Sequence, residues 1–271
     1  MLYENCLNAA GLLIILAAII NFRFCWKSGV ASLPLPRTVS GIYLVTVFIW
    51  LSGFISRWSD YVSQTSDPWF YAFPVVTKYE TLAFALFLVV FLTYFVTHEL
   101  LRLRSLLWFT GGLGLLFLNF IYSPETPANF VPSLKSNWLV VHISLSFLAY
   151  AMFAVAAGIN GYALVTDHCQ RISGLSERLI ACGTVLFTIG GIFIGAIWAD
   201  QSWGRFWAWD PKESWAFVTW VIYSALWHTF SIGRMSSKVR SMLIVIAFGV
   251  ILFTYFGVNA LYLESLHSYS S

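Results

Sequence analysis

Residues 137–166 read NWLVVHISLSFLAYAMFAVAAGINGYALVT, a stretch without Asp, Glu, Lys or Arg. About 20 apolar residues at 1.5 Å of helical rise cross a hydrocarbon core of about 30 Å, and this run is longer than that. Working outward from it, apolar runs of spanning length recur at 9–26, 39–56, 79–97, 105–122, 177–199, 213–231 and 241–263. The expected fold is all-α, a polytopic membrane helix bundle of about eight transmembrane helices. Composition agrees: the 271 residues are 59% hydrophobic and 10% charged, with a mean hydropathy of +0.77, too few charges to clothe a soluble surface. Eight spans leave no room for a large extramembrane domain. We therefore expect one integral membrane domain over 1–271, with four spans in 1–136 and four more in 137–271.

Eight crossings put both termini on one side, and the cations decide which. One set of connections and helix ends holds Arg23, Lys27, Arg37, Arg102, Arg104, Arg171, Arg178, Arg234, Lys238 and Arg240; the other holds Arg57, Lys78, Lys135, Arg205 and Lys212. By the positive-inside rule the richer set is cytoplasmic or stromal, and both termini face outward. The first run, interrupted by Asn21 and Arg23, is the weakest span. Its start has Glu4 and no preceding Lys or Arg, unlike a cleaved signal peptide. Cys6, Cys25, Cys169 and Cys182 form no Cys-x-x-Cys pair and read as small helix residues. Scattered cations and a net charge of +3 give no nucleic-acid footprint.

The outer connection between the sixth and seventh runs is the unusual one: Trp203-Gly204-Arg205-Phe206-Trp207-Ala208-Trp209-Asp210-Pro211-Lys212-Glu213-Ser214-Trp215. Clustered rings with Arg205 and Lys212 beside them suit a planar, apolar ligand that carries carboxylates, as a porphyrin with two propionates does. A second reading stays open, because Trp belongs at membrane interfaces. Asp210, Pro211 and Glu213 also form a capping box that starts a helix whatever the loop does, as Thr77-Lys78-Tyr79-Glu80 does earlier.

Trp203, Gly204, Trp207, Trp209 and Asp210 fit the pattern Trp-Gly-x-x-Trp-x-Trp-Asp, which resembles the tryptophan-rich signature of the haem-handling membrane proteins of cytochrome c maturation. The continuation from Pro211 to Phe217 and the ending Tyr255-Phe256-Gly257-Val258-Asn259 with Leu266-His267-Ser268-Tyr269 resemble the CcsA (ResC) branch, a subunit of the system II cytochrome c synthetase. Lys78-Tyr79-Glu80-Thr81-Leu82 is similar to that family's segment before an early helix. The resemblance is dense over 137–271 and thin before 77.

The resemblance implies haem b as a transported substrate, with residues 137–271 as its haem-handling core. It implies His142 and His267 as axial ligands of an outer haem, and His228 as one ligand of an inner, membrane-embedded haem. The second inner ligand is attributed to a CcsB/ResB-type partner subunit with a large extracytoplasmic domain. Trp203, Gly204, Trp207, Trp209, Asp210 and Trp215 would form the haem platform, with Arg205 and Lys212 towards the propionates. On their own, the histidines admit plainer readings as interfacial or hydrogen-bonded residues. His98 is a weaker ligand candidate, and His168 reads as a solvated loop residue. No residue is assigned as general acid, base or nucleophile.

The implied activity is presentation of haem for thioether attachment to the Cys-x-x-Cys-His segment of apocytochrome c, as a subunit of a holocytochrome c synthase with thiol-reducing proteins as further partners. A haem exporter or chaperone without attachment activity is the alternative. An ion or solute transporter fits poorly, since no Asp or Glu lies deep in a span and no paired helix-breaking stretches occur. The expected location is a bacterial inner membrane, with the thylakoid membrane as the alternative.

Overall fold

The computed structural model describes residues 2–28, 36–65, 73–97, 100–122, 132–166, 173–232 and 235–261. They are helical, without strands among the described residues: α1 (Leu2–Ser28), α2 (Arg37–Thr65), α3 (Lys78–Val96), α4 (Leu101–Ile121), α5 (Asn137–Thr166), α6 (Ser173–Phe187), α7 (Gly195–Trp203), α8 (Pro211–Ile232), α9 (Ser237–Leu252) and α10 (Val258–Leu261). A π-helical segment, Thr188–Ile194, joins α6 to α7, and another, Phe253–Gly257, joins α9 to α10. In both places the chain widens without breaking, so the runs expected at 177–199 and 241–263 each become one continuous span containing a π turn.

Among the described residues seven helices are long and apolar enough to cross a membrane, which makes this a multi-pass membrane protein. The eighth expected crossing is α8, whose 22 residues reach about 33 Å. It is not among the seven, because three Trp with Ser, Thr, Tyr and His displace much of its aliphatic content. Lipid explains why large apolar side chains such as Phe48, Phe120 and Val165 lie exposed on these helices.

The chain divides into two compact units, Met1–Val140 and Val141–Ser271. In the first, α1 packs on α2 and α4, and α3 on α4. Asn21 does not weaken α1: its side-chain amide donates to Leu101 O at 2.9 Å and to Ser105 Oγ at 2.8 Å, satisfying polar groups that lipid cannot. Asn119 likewise donates to Asn8 Oδ1 at 2.8 Å and accepts from the Tyr79 hydroxyl. Tyr43, Tyr94 and Trp108 stack beside Arg104, which is fully buried and donates to Tyr94 O at 3.0 Å and Thr97 Oγ1 at 3.3 Å. One of the ten cations counted on the richer side therefore serves the interior of the bundle.

Glu80 is also fully buried. It closes the capping box of α3 with Thr77, bonds Arg57 Nε at 3.0 Å and accepts from Tyr61. In the second unit the polar fastener is Asn160, which donates to Ser176 Oγ at 2.6 Å and accepts from Ser241 Oγ at 2.8 Å, tying α5 to α6 and α9. Cys6, Cys25 and Cys182 are free thiols.

Candidate functional site

The site grows from the end of α7. Gly204 caps that helix in the left-handed region, φ +72°, and its N–H donates to Asp200 O at 2.8 Å. A residue without Cβ takes this conformation at no steric cost, so the helix stops and the tryptophan loop begins. The loop ends at Asp210, whose Oδ1 accepts from Glu213 N at 2.7 Å. Glu213 Oε2 returns to Asp210 N at 3.4 Å and also takes Ala208 N at 2.6 Å. Asp210 and Glu213 are buried, and between Ala208 and Asp210 the chain turns through Trp209 at φ +57°. Trp209 is the one non-glycine in the left-handed region among the described residues, a conformation that costs roughly 1–2 kcal/mol for a residue with a Cβ. Trp209 is 65% exposed, and Phe206, earlier in the loop, is 60% exposed.

The rings form two series. In the first, His142 of α5 lies parallel to Trp198 with centroids 5.8 Å apart, and Trp198 meets Trp203 edge-on at 4.9 Å. In the second, Trp207 meets Trp209 edge-on at 5.7 Å, Trp209 meets Phe217 at 5.8 Å, and Phe217 stacks on Trp220 at 5.7 Å. Trp220 Nε1 then donates to Thr188 Oγ1 at 2.8 Å, while His142 Nδ1 lies 2.8 Å from Gly190 O. Both series thus end on the same π-helical segment. The second π segment grips α8 from another side, through Thr254 Oγ1 at 3.0 Å from Thr219 Oγ1.

A backbone carbonyl only accepts, so this contact puts a proton on His142 Nδ1, and in the neutral ring the lone pair then lies on Nε2. That tautomer suits an imidazole ligand to iron, held by a hydrogen bond at its far nitrogen. The Trp207 indole N–H is buried and has no hydrogen-bond partner among the described residues, an orphaned donor beside the exposed Trp209. This set fits a planar ligand with acceptor groups at its edge.

The other expected residues are distributed as follows. Trp203 closes α7 and is half-buried, as is Trp207. Trp215 lies in the first turns of α8 and faces Phe253 of the second π segment at 4.5 Å, away from the Trp209 series. Arg205 is exposed and Lys212 half-buried on the first turn of α8. His228 is exposed on α8 beside Trp227, about 25 Å along the helix from Pro211 and so far from the loop. His267, His98 and His168 lie outside the described residues. Among the described residues no three His, Cys, Asp or Glu side chains gather as a metal cluster.

Sequence reasoning missed Gly190, Gly195, Trp198 and Thr188. The available signal was the Gly190-Gly191 pair in the middle of a span, with Gly195 one turn further on.

The sequence profile of the family "Cytochrome C assembly protein" matches residues 75–267. A cytochrome c biogenesis protein CcsA of Prochlorococcus marinus is 30% identical over 240 residues, covering 73% of this chain and 75% of the relative. The CcsA of Chlamydomonas reinhardtii is 28% identical over 278 residues, covering 96% of this chain and 72% of that protein. Protein NrfI of Wolinella succinogenes is 35% identical over 189 residues, which are 65% of this chain and only 21% of NrfI. The match begins just before Lys78-Tyr79-Glu80-Thr81-Leu82 and takes in α3 and α4 as well as most of the second unit. The chain belongs to the cytochrome c assembly protein family and is a cytochrome c biogenesis protein of the CcsA type.

Proposed function

We propose that this chain takes up haem b as a transported substrate and presents it, on the outer face of the membrane, for covalent attachment to apocytochrome c. His142 and His267 hold the outer haem, and the rings of Trp207 and Trp209 lie against the macrocycle. Arg205, Lys212 and the Trp207 N–H face its propionates. The observation that carries this reading is His142 itself: its Nδ1 is fixed on Gly190 O, and its ring lies parallel to Trp198 in the series that leads into the tryptophan loop.

The chain binds and orients; the haem supplies the reactive vinyl groups. Each cysteine thiol of a Cys-x-x-Cys-His segment adds across one vinyl double bond, its own hydrogen completing the addition, so no leaving group needs a protein acid. What the protein supplies is proximity and control of the iron through imidazole ligation. Glu213 holds the loop backbone at Ala208 and Asp210, and the exposed Trp209 face is where substrate approaches.

His228 is proposed as the chain's ligand to an inner haem. Its exposed position on α8 suits a site completed by a partner subunit with a large extracytoplasmic domain. Both termini face outward in this reading, with the membrane being a bacterial inner membrane or a thylakoid. Thiol-reducing proteins would keep the substrate cysteines competent.

The test is purification of the full chain with and without the coexpressed partner. Bound b-type haem with a six-coordinate, two-imidazole spectrum is expected, and a well-folded complex devoid of haem overturns the proposal. Haem bound and moved outward with no thioether product in a reconstituted reaction selects the exporter or chaperone alternative.

A further inference from the structure

The π-helical segment Thr188–Ile194 sits where an ordinary helix would have misplaced its glycines. At 3.6 residues per turn, Gly190 and Gly195 would lie about 140° apart around the helix. The wider turn, with the Gly195 N–H directed at Gly190 O five residues back, returns both to the face packed on α5. There Gly190 lies over Leu145, where a Cβ would come within 2.2 Å of the Leu145 Cβ, and Gly195 lies over the His142 ring, where a Cβ would come within 2.8 Å of Cε1 and 2.9 Å of Nδ1. Gly190 O accepts from His142 Nδ1, and Trp198, one turn beyond Gly195, lies parallel to the same ring. The imidazole is thus bounded by a bare glycine, an indole plane and a carbonyl, all supplied by one continuous stretch of chain.

We propose that this π segment, through Gly190 and Gly195, is the positioning device for His142: it fixes the neutral tautomer protonated at Nδ1 and aims Nε2 at the haem iron. The inference rests on the assignment of His142 as an outer ligand. Gly190 contributes a backbone acceptor that no side-chain substitution reproduces, and Gly195 contributes the space in which the ring lies. A regular α-helix here would supply one of these and withdraw the other. Hydrogen-bond partners of metal-bound imidazoles typically govern affinity by about 10–100-fold.

The experiment compares Gly195→Ala with Gly183→Ala in the full chain copurified with its partner and haem. Gly183 makes the matched control, since a Cβ there would come within 2.7 Å of the Phe153 ring, about 16 Å along α5 from His142. Gly195→Ala is expected to weaken retention of the outer haem about tenfold or more, to shift its midpoint potential, and to recover six-coordination with added imidazole, while Gly183→Ala leaves all three as in the parent. Equal behaviour of the two variants overturns the inference while His142→Ala still removes the outer-site spectrum. An unchanged spectrum in His142→Ala overturns the ligand assignment, and the positioning inference with it. A measurement on the unaltered complex avoids any folding defect. With histidine 15N-labelled at Nδ1, electron spin-echo spectra of the ferric haem are expected to show the label as a remote nitrogen; a directly coordinated Nδ1 overturns the inference.

Discussion

The two units use one motif for different ends. In the first, the capping box of α3 places Glu80 at N3, and the remaining capacity of that carboxylate goes to the part-buried Arg57 and the buried Tyr61. In the second, the capping box of α8 places Glu213 at N3, and the remaining capacity goes backwards to the backbone of Ala208 in the tryptophan loop. The same four-residue solution to unsatisfied helix N–H groups therefore locks a bundle in one place and holds the tryptophan loop in the other. The third partner of the glutamate, not the motif, separates a cap that ties helices together from one that shapes a loop. The spans differ in the same sense. Those of the first unit are regular among the described residues, and those of the second carry the two π segments, both of which meet α8 near the loop.

The largest expected effect comes from breaking the first cap. Glu80→Ala removes the buried carboxylate that Arg57 and Tyr61 share and is expected to lower stability by about 3–5 kcal/mol, read as thermal unfolding of the detergent-solubilised complex. Arg57→Met combined with Glu80→Leu is expected to recover most of that loss, since an apolar pair needs no compensation. Full stability in Glu80→Ala would show that the ion pair holds nothing together.

Glu213→Ala, the corresponding change in the second unit, is expected to cost only about 1–2 kcal/mol, the range of a lost cap. Holocytochrome c yield should nevertheless fall severalfold, because the loop backbone at Ala208 is released. A loss of stability equal to that of Glu80→Ala with yield intact would erase the distinction between the two caps.

Trp209→Asn sharpens it further. Asn tolerates the left-handed region better than Trp, so a gain of up to about 1 kcal/mol is expected, together with loss of outer haem. Retained haem with the same spectrum would remove Trp209 from the platform. The smallest effect belongs to Trp220→Phe, which keeps the ring and deletes the donor to Thr188; about 0.5–1.5 kcal/mol of stability is expected to go, with the spectrum of the outer haem broadened more than its yield is reduced.

Much of this was legible in the residues. Runs without charge fixed the existence and type of the spans, because lipid demands internal hydrogen bonding of every peptide group and helices supply it locally. Thr77-x-x-Glu80 and Asp210-x-x-Glu213 announced their helix starts for the same local reason. The tryptophan pattern announced the family. What escaped was long-range in sequence: Asn21 looked like a flaw until Leu101 and Ser105 met it, and Arg104 looked like a surface cation until the Tyr94 and Trp108 rings enclosed it.

By itself, then, the sequence determined a helical membrane protein of the cytochrome c assembly family and pointed to His142 and the tryptophan loop, all through patterns that span a few turns or less. Only the tertiary structure decided how His142 is held. The register between α5 and the chain from Gly190 to Trp198 depends on a π turn, and that turn is stabilised by contacts more than thirty residues away in sequence, Thr188 with Trp220 and Gly190 with His142. Local propensity cannot specify such a turn, because an α-helix satisfies the same backbone groups equally well; the packing of α5 and α8 selects the wider form.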